Sequence, residues 1–186
     1  MLPGLFSDDF GLSGLMLREA LISEDQEAQL VQRAALEPLA PFEFQGWLGR
    51  RHTRSYGWTF DFGRNRLVRD DPIPDWLLLL RDQAAIFSGV QAEALAHVLL
   101  TRYDPGAGIG WHKDRPSFDH VVGVSLGAPC ILRLRRRTAT GFRRLKVPLA
   151  PRGAYHLSGE ARHAWEHSIA PMQETRWSIT FRSLAA

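Results

Sequence analysis

The second half of the chain narrows most what this protein can fold into. From residue 97 onward, short β-type runs follow one another: HVLLTRY, HVVGVSLG, CILRLRR, KVPLA, GAYHLS and RWSITFRSL. Turn signals such as DPGAG, GAP, TATG and APRG separate them. Strands this short and this evenly spaced close into a barrel or a two-sheet sandwich. In the last run, Trp177, Ile179 and Phe181 alternate with Arg176, Ser178, Thr180 and Arg182. Successive strand side chains point to opposite faces, so one face is apolar and the other polar. The apolar face belongs in a core between sheet and helices. The polar face is costly to bury unless it meets an anion, such as a dicarboxylate; taken alone, it also fits an exposed edge strand.

The first half reads differently. The first twenty residues suggest an irregular arm. SEDQEAQLVQRAALEPL reads as a helix, with Ser23 as N-cap, Gln26 completing a capping box and Pro38 ending it. A second helix is expected from about Asp75, after Pro72 and Pro74, through WLLLLRDQAAIFSG. Between them, FQGWLGRRHTRSYGWTFDFGRNR mixes aromatics, glycines and arginines, as a hairpin or flap would. The expectation is an α+β protein forming one domain over 1–186: arm and helices at 1–44, lid at 45–70 and β core at 95–184. The length of 186 residues suits one sizeable core. Cys130 is the single cysteine, which excludes an internal disulfide and a cysteine-rich zinc cluster. No apolar run is long enough to span a bilayer and no secretory signal is visible, so a cytoplasmic, membrane-free monomer without an obligate protein partner is expected.

The net charge is +3, carried by 21 arginines with only Lys113 and Lys146 beside them. Base-composition bias accounts for much of that excess. The clusters GRRHTR at 49–54 and RLRRRTATGFRRLK at 133–146 are harder to attribute to bias; they fit polyanion binding or a solvated face.

The chemistry concentrates in TRYDPGAGIGWHKDRPSFDH, residues 101–120. On a strand, His112 and Asp114 project to the same side, one nitrogen and one oxygen ligand together. Two histidines and a carboxylate hold non-haem Fe(II) on one face and leave positions open. The third ligand has four candidates downstream: His120, His156, His163 and His167.

Taken as an ordered set, TRYDPGAGIGWHKD, HAWEHSIAPM and RWSITFR resemble the AlkB-like family of Fe(II)- and 2-oxoglutarate-dependent dioxygenases. The resemblance covers roughly residues 45–184 and is tightest over 97–127 and 153–184. It implies a double-stranded β-helix (jelly-roll) core with N-terminal helices packed on one sheet and a β-hairpin substrate lid. It implies Fe(II) bound by His112, Asp114 and His167, with His163 the runner-up and His120 and His156 ordinary polar or core histidines. Arg176 would take the far carboxylate of the cosubstrate 2-oxoglutarate, and Thr101 and Tyr103 would hydrogen-bond it. Ser178 stands where the family usually has Asn. Arg182 would lie near the keto-acid end or beside Asp114. The segment RRHTRSYGWTFDF resembles the family's substrate lid, offering Arg51, Arg54, Tyr56 and Trp58; the aromatics also fit simple alternation into the core.

By this resemblance the protein consumes O2 and 2-oxoglutarate, releases succinate and CO2, and oxidises a C–H bond of its substrate. With an N-methylated base in alkylated DNA or RNA, the hydroxymethyl product collapses to formaldehyde and repaired base, which requires flipping the base from its stack. After the His-x-Asp motif the chain reads RPSFDH, without the acidic residues common in repair members. The same chemistry on a modified tRNA base, a protein side chain or a small molecule is the alternative. A non-catalytic basic nucleic-acid-binding barrel is the third reading, which an intact ligand triad disfavours.

Overall fold

A computed structural model describes residues 10–44, 47–61 and 63–185 of the chain. The strands are β1 (Leu15–Arg18), β2 (Ala40–Phe44), β3 (Trp47–Tyr56), β4 (Trp58–Asp61), β5 (Arg66–Arg69), β6 (His97–Tyr103), β7 (Ile109–His112), β8 (Phe118–Gly127), β9 (Cys130–Thr138), β10 (Gly141–Leu149), β11 (Ala154–Leu157), β12 (Glu166–Ile169) and β13 (Arg176–Leu184). The helices are α1 (Glu24–Ala34), α2 (Leu78–Ser88) and α3 (Gly159–His163).

Seven strands form a major sheet in the order β1-β11-β8-β13-β6-β3-β2, and four form a minor sheet in the order β10-β9-β12-β7. The two sheets face each other as the double-stranded β-helix expected from the sequence. Strand β13 lies at the centre of the major sheet, buried from Arg176 to Ser183. Its two faces part as the alternation requires. Trp177, Ile179 and Phe181 join Leu30 and Ala34 of α1 and Leu80, Ala84 and Phe87 of α2 in one core outside the major sheet. Arg176, Ser178, Thr180 and Arg182 face the space between the sheets. Leu132, Leu134, Val147, Leu157, Trp165 and Ile169 fill a second core there.

Ser23 caps α1, its hydroxyl accepting from the Gln26 amide at 3.2 Å. Only half of the capping box forms, because the Gln26 side chain bonds Gln83 of α2 instead. A 3-10 turn over Asp75–Leu77 precedes α2, and Gly89 closes that helix in the left-handed conformation at φ 72°.

Two expectations need correction. Residues 15–18 of the supposed irregular arm form β1, which hydrogen-bonds to β11 and extends the major sheet; residues 1–9 lie outside the described residues. The segment 45–70 is not wholly a flap. Strand β3 pairs with β6 inside the major sheet, and only β4 and β5 form a separate two-stranded hairpin. No described helix is long and apolar enough to cross a membrane.

Candidate metal centre and cosubstrate pocket

Strands β12 and β7 pair antiparallel with His167 directly opposite His112. The imidazoles meet with ring centroids 4.2 Å apart. Strand β7 ends at His112, so Asp114 reaches the cluster from the connection that follows and not by the strand alternation the sequence suggested. The carboxylate nevertheless lies 4.0 Å from His112 Nε2. One ligand atom from each of the three residues falls within 4.8 Å of the others.

The surroundings prepare these groups for a cation. His112 Nδ1 lies 2.9 Å from the Gly110 carbonyl; a proton held there leaves Nε2 as the lone-pair donor. Burial pushes the His167 imidazole down to about 3, so it stays neutral. Burial alone would push the Asp114 carboxyl up, but the cation of Arg182, with His167 and His112, holds it well below the usual carboxylate range. Arg182 donates to both Asp114 oxygens, Nε and Nη2 each at 3.3 Å. Two neutral imidazoles and an ionised carboxylate are the donor set that suits Fe(II). His163 is not part of it: its Nε2 bonds Asp119 at 3.0 Å. His120 and His156 stack on each other, Nδ1 to Nε2 at 2.9 Å, away from the triad.

The cosubstrate candidates assemble by register. Arg176 pairs with Tyr103, Ser178 with Thr101 and Arg182 with His97 across β13 and β6. Arg176 is 1% exposed. Its Nε donates to Ser125 Oγ at 3.0 Å, its Nη1 has no partner, and no acidic group of the described residues pairs with it. A buried guanidinium in this state needs an anion. Thr101, Tyr103, Ser178, Thr180 and Arg182 line one cavity of about 970 Å³ together with the triad. Arg176 itself is not among the lining residues; its guanidinium lies 5.2 Å from the ring of Tyr103, its register partner, which is.

Of the four lid residues, the structure brings only Arg51 to the cavity. On β3, Gly49, Arg51 and Ser55 face it, and Arg54 and Tyr56 fall on the opposite side of the strand. Tyr56 is 4% exposed in the helix-side core and donates to Glu37 Oε2 at 2.5 Å. Arg54 pairs with Asp71. Trp58 lies under the Arg69 guanidinium, 4.3 Å from it, and does not line the cavity. Among the aromatics that line the cavity are Phe60, on the hairpin, and Trp111, on β7 next to His112.

Among the lining residues that escaped the sequence reading, three bear on the site's polar groups. His97, kept neutral chiefly by burial, lies 3.4 Å from Arg182 Nη1; it shares the parity of Thr101 and Tyr103, a signal that was available. Tyr155 crosses to β8, where Gly123 makes room: a Cβ there would sit 2.3 Å from the ring. Arg162 of α3 donates to the carbonyls of Arg115 and Phe118 at 2.5 and 2.6 Å and so ties down the turn that follows Asp114.

Comparison with known proteins agrees with this geometry. Residues 15–182 match the family described as the 2OG-Fe(II) oxygenase superfamily. The chain is 31% identical over 152 residues to the alpha-ketoglutarate-dependent dioxygenase AlkB of Salmonella typhimurium, covering 69% of this chain and 68% of that protein. It is 27% identical over 164 residues to the tRNA (carboxymethyluridine(34)-5-O)-methyltransferase alkbh8 of Xenopus tropicalis, 85% of this chain but 25% of that one. The chain thus spans about a quarter of that relative's length. The solved structure of OsALKBH1 superposes with a TM-score of 0.68 at 16% identity, over 91% of this chain and 96% of the other, which speaks for the fold. The chain belongs to the Fe(II)- and 2-oxoglutarate-dependent oxygenases and, within them, is an AlkB-like dioxygenase. Its cofactor set is accordingly Fe(II), 2-oxoglutarate and O2.

Proposed function

We propose that the protein oxidatively demethylates alkylated bases in DNA or RNA, with His112, Asp114 and His167 as its iron ligands. The observation that carries the reading is the meeting of that triad with a buried, acid-free Arg176 and a cavity large enough for a base beside a dicarboxylate. Iron with 2-oxoglutarate and O2 supplies the oxidation of an unactivated C–H bond. The protein's residues do the rest. Arg176 anchors the distal carboxylate, with Thr101, Tyr103 and Ser178 donating alongside. Arg182 orients Asp114 and keeps it ionised. Arg51, held over the Phe42 ring at 3.8 Å, faces the cavity as a cation for the substrate or for the cosubstrate end. Phe60 provides a ring face for an extruded base.

Relatives named as an alkylated DNA repair protein, in Arabidopsis thaliana, and as a tRNA methyltransferase support a nucleic-acid substrate. The tRNA-enzyme names favour one second reading, the same oxidation of a modified tRNA base. Two assays decide. Succinate formation should depend on Fe(II) and 2-oxoglutarate. Mass spectrometry of oligonucleotides carrying N1-methyladenine or N3-methylcytosine should show loss of the methyl group. Robust uncoupled turnover with no loss from any methylated strand, DNA or RNA, would remove the demethylase reading.

A further inference from the structure

The outer face of the minor sheet carries a charge pattern the fold does not need. Along β9, Leu132 and Leu134 point inward, so Arg133, Arg135 and Arg137 point outward. The pairing with β10 places Lys146 directly opposite Arg133 and Arg144 opposite Arg135. Like charges directly opposite destabilise a sheet, and this chain has two such pairs in succession on one face. Glu166 answers Arg135 at 2.6 Å. Among the described residues, Arg133, Arg137, Arg144 and Lys146 have no acidic partner.

These cations are arranged on ring platforms. Arg133 and Arg135 lie 5.2 and 4.4 Å from the Trp111 ring, and Arg137 and Arg144 lie 5.7 and 5.3 Å from Phe142. Stacked guanidiniums are pre-organised and lose less freedom on meeting an anion. Trp111 also lines the catalytic cavity, next to His112, so the basic stripe begins at the cavity itself. Outward residues two apart along β9 are about 6.7 Å apart, the order of the phosphate repeat in an extended strand. An acidic protein surface offers neither that regular repeat nor base faces to stack on half-buried rings.

We propose that this face is a track for the backbone of single-stranded nucleic acid, with Arg133, Arg137, Arg144 and Lys146 contacting successive phosphates beside the base held in the cavity. The inference rests on the nucleic-acid substrate proposed above and says where the flanking strand runs.

The test is fluorescence anisotropy with an unmodified, labelled oligothymidylate over a range of salt concentrations. Changing all four residues to Gln should flatten the plot of log affinity against log salt by about 3, since each phosphate contact contributes about 0.7 on a single strand. Arg144→Gln with Lys146→Gln, confined to edge strand β10, should give about half of that change. Uncoupled 2-oxoglutarate turnover should stay at the wild-type rate, which reports an intact fold. Arg18→Gln with Arg33→Gln, equal in charge to the double variant but away from the stripe, should leave the slope near wild type. An unchanged slope in the fourfold variant, an equal drop in the Arg18/Arg33 control, or polyglutamate binding as tight as oligothymidylate would overturn the track. Demethylation of a methylated oligonucleotide with the slope unchanged would remove the track and leave the proposed function standing. A flattened slope with no demethylation of any methylated strand would do the reverse.

Discussion

Arg176→Met is the substitution with the most revealing pair of effects, because they should have opposite signs. Arg176 is 1% exposed, with Ser125 accepting from Nε, Nη1 unpartnered and no carboxylate of the described residues beside it. Without 2-oxoglutarate, the cation is an uncompensated buried charge. Exchanging such a charge for an apolar chain of similar length is typically neutral or stabilising by about 1–4 kcal/mol. With 2-oxoglutarate present, the same change removes two charge-assisted hydrogen bonds of about 1.5–3 kcal/mol each. Taking the lower value for both, about 3 kcal/mol, the affinity for 2-oxoglutarate should fall by roughly a hundredfold or more. At a ligand concentration of about 100 times the wild-type dissociation constant, the wild-type protein gains about 2.7 kcal/mol and its Tm rises by roughly 5–10 °C. Differential scanning calorimetry with and without 2-oxoglutarate, metal held constant, reads both effects. The variant should melt at or above the wild type alone and show almost no shift with ligand. A variant that is several degrees less stable alone, yet shifts with 2-oxoglutarate as the wild type does, would refute the assignment of Arg176.

Three further outcomes follow from the packing. Tyr56→Phe should cost about 1–2 kcal/mol in urea unfolding through its lost bond to Glu37 and leave the KM for substrate unchanged, whereas Phe60→Ala should raise that KM severalfold with little loss of stability. Arg162→Met should lower kcat more than it raises the KM for 2-oxoglutarate, because it frees the turn after Asp114 without touching the Arg176 end; unfolding midpoints check that the fold persists. Burial, reinforced by His120, holds the His156 imidazole down at about 4, so the folded state binds that proton less readily than the unfolded chain. Stability from this site is therefore complete above about pH 6.5 and is lost as pH falls toward 4, by on the order of 3 kcal/mol. His156→Phe should flatten that acid limb of the stability profile; an unchanged limb would mean His156 does not carry it.

The sequence displayed much of the fold, and the physical reason is period. Strand β13 coincides with RWSITFRSL because polar and apolar residues alternate along it, and β6 with HVLLTRY because a short β-type run stands between turn signals. The face assignment on β13 is visible in the same way, and with it the side on which Arg176, Ser178 and Arg182 gather. What alternation does not encode is register across strands. That His167 stands opposite His112 depends on how β12 pairs with β7, two segments more than fifty residues apart. Motif order, through the resemblance, singled His167 out from three other histidines; spacing left all four open.

The lid shows the opposite failure. Arg51 and Arg54 stand three apart, so on one regular strand they fall on opposite faces, and the structure keeps only Arg51 at the cavity. Tyr56 follows Arg54 to the helix side, where Glu37 supplies the partner its hydroxyl needs. The segment looked like a flap because glycines and arginines are common in loops, yet β6 recruits it as a sheet strand. Asp114 is the reverse case: the expected neighbour arrived, but from the connection beyond β7. Arg162 and Tyr155 left no readable signal, since each reaches the site from an element whose placement only the tertiary fold decides.

One Fe(II) is expected to sit among His112, Asp114 and His167. Anaerobic equilibrium dialysis against Fe(II), with metal analysis of the retained protein, tests it most directly. The wild type should retain one iron per chain. His112→Ala, Asp114→Ala and His167→Ala should each lose it, while His163→Ala keeps it. Full iron in the His167→Ala protein, or iron lost from the His163→Ala protein, would contradict the assignment.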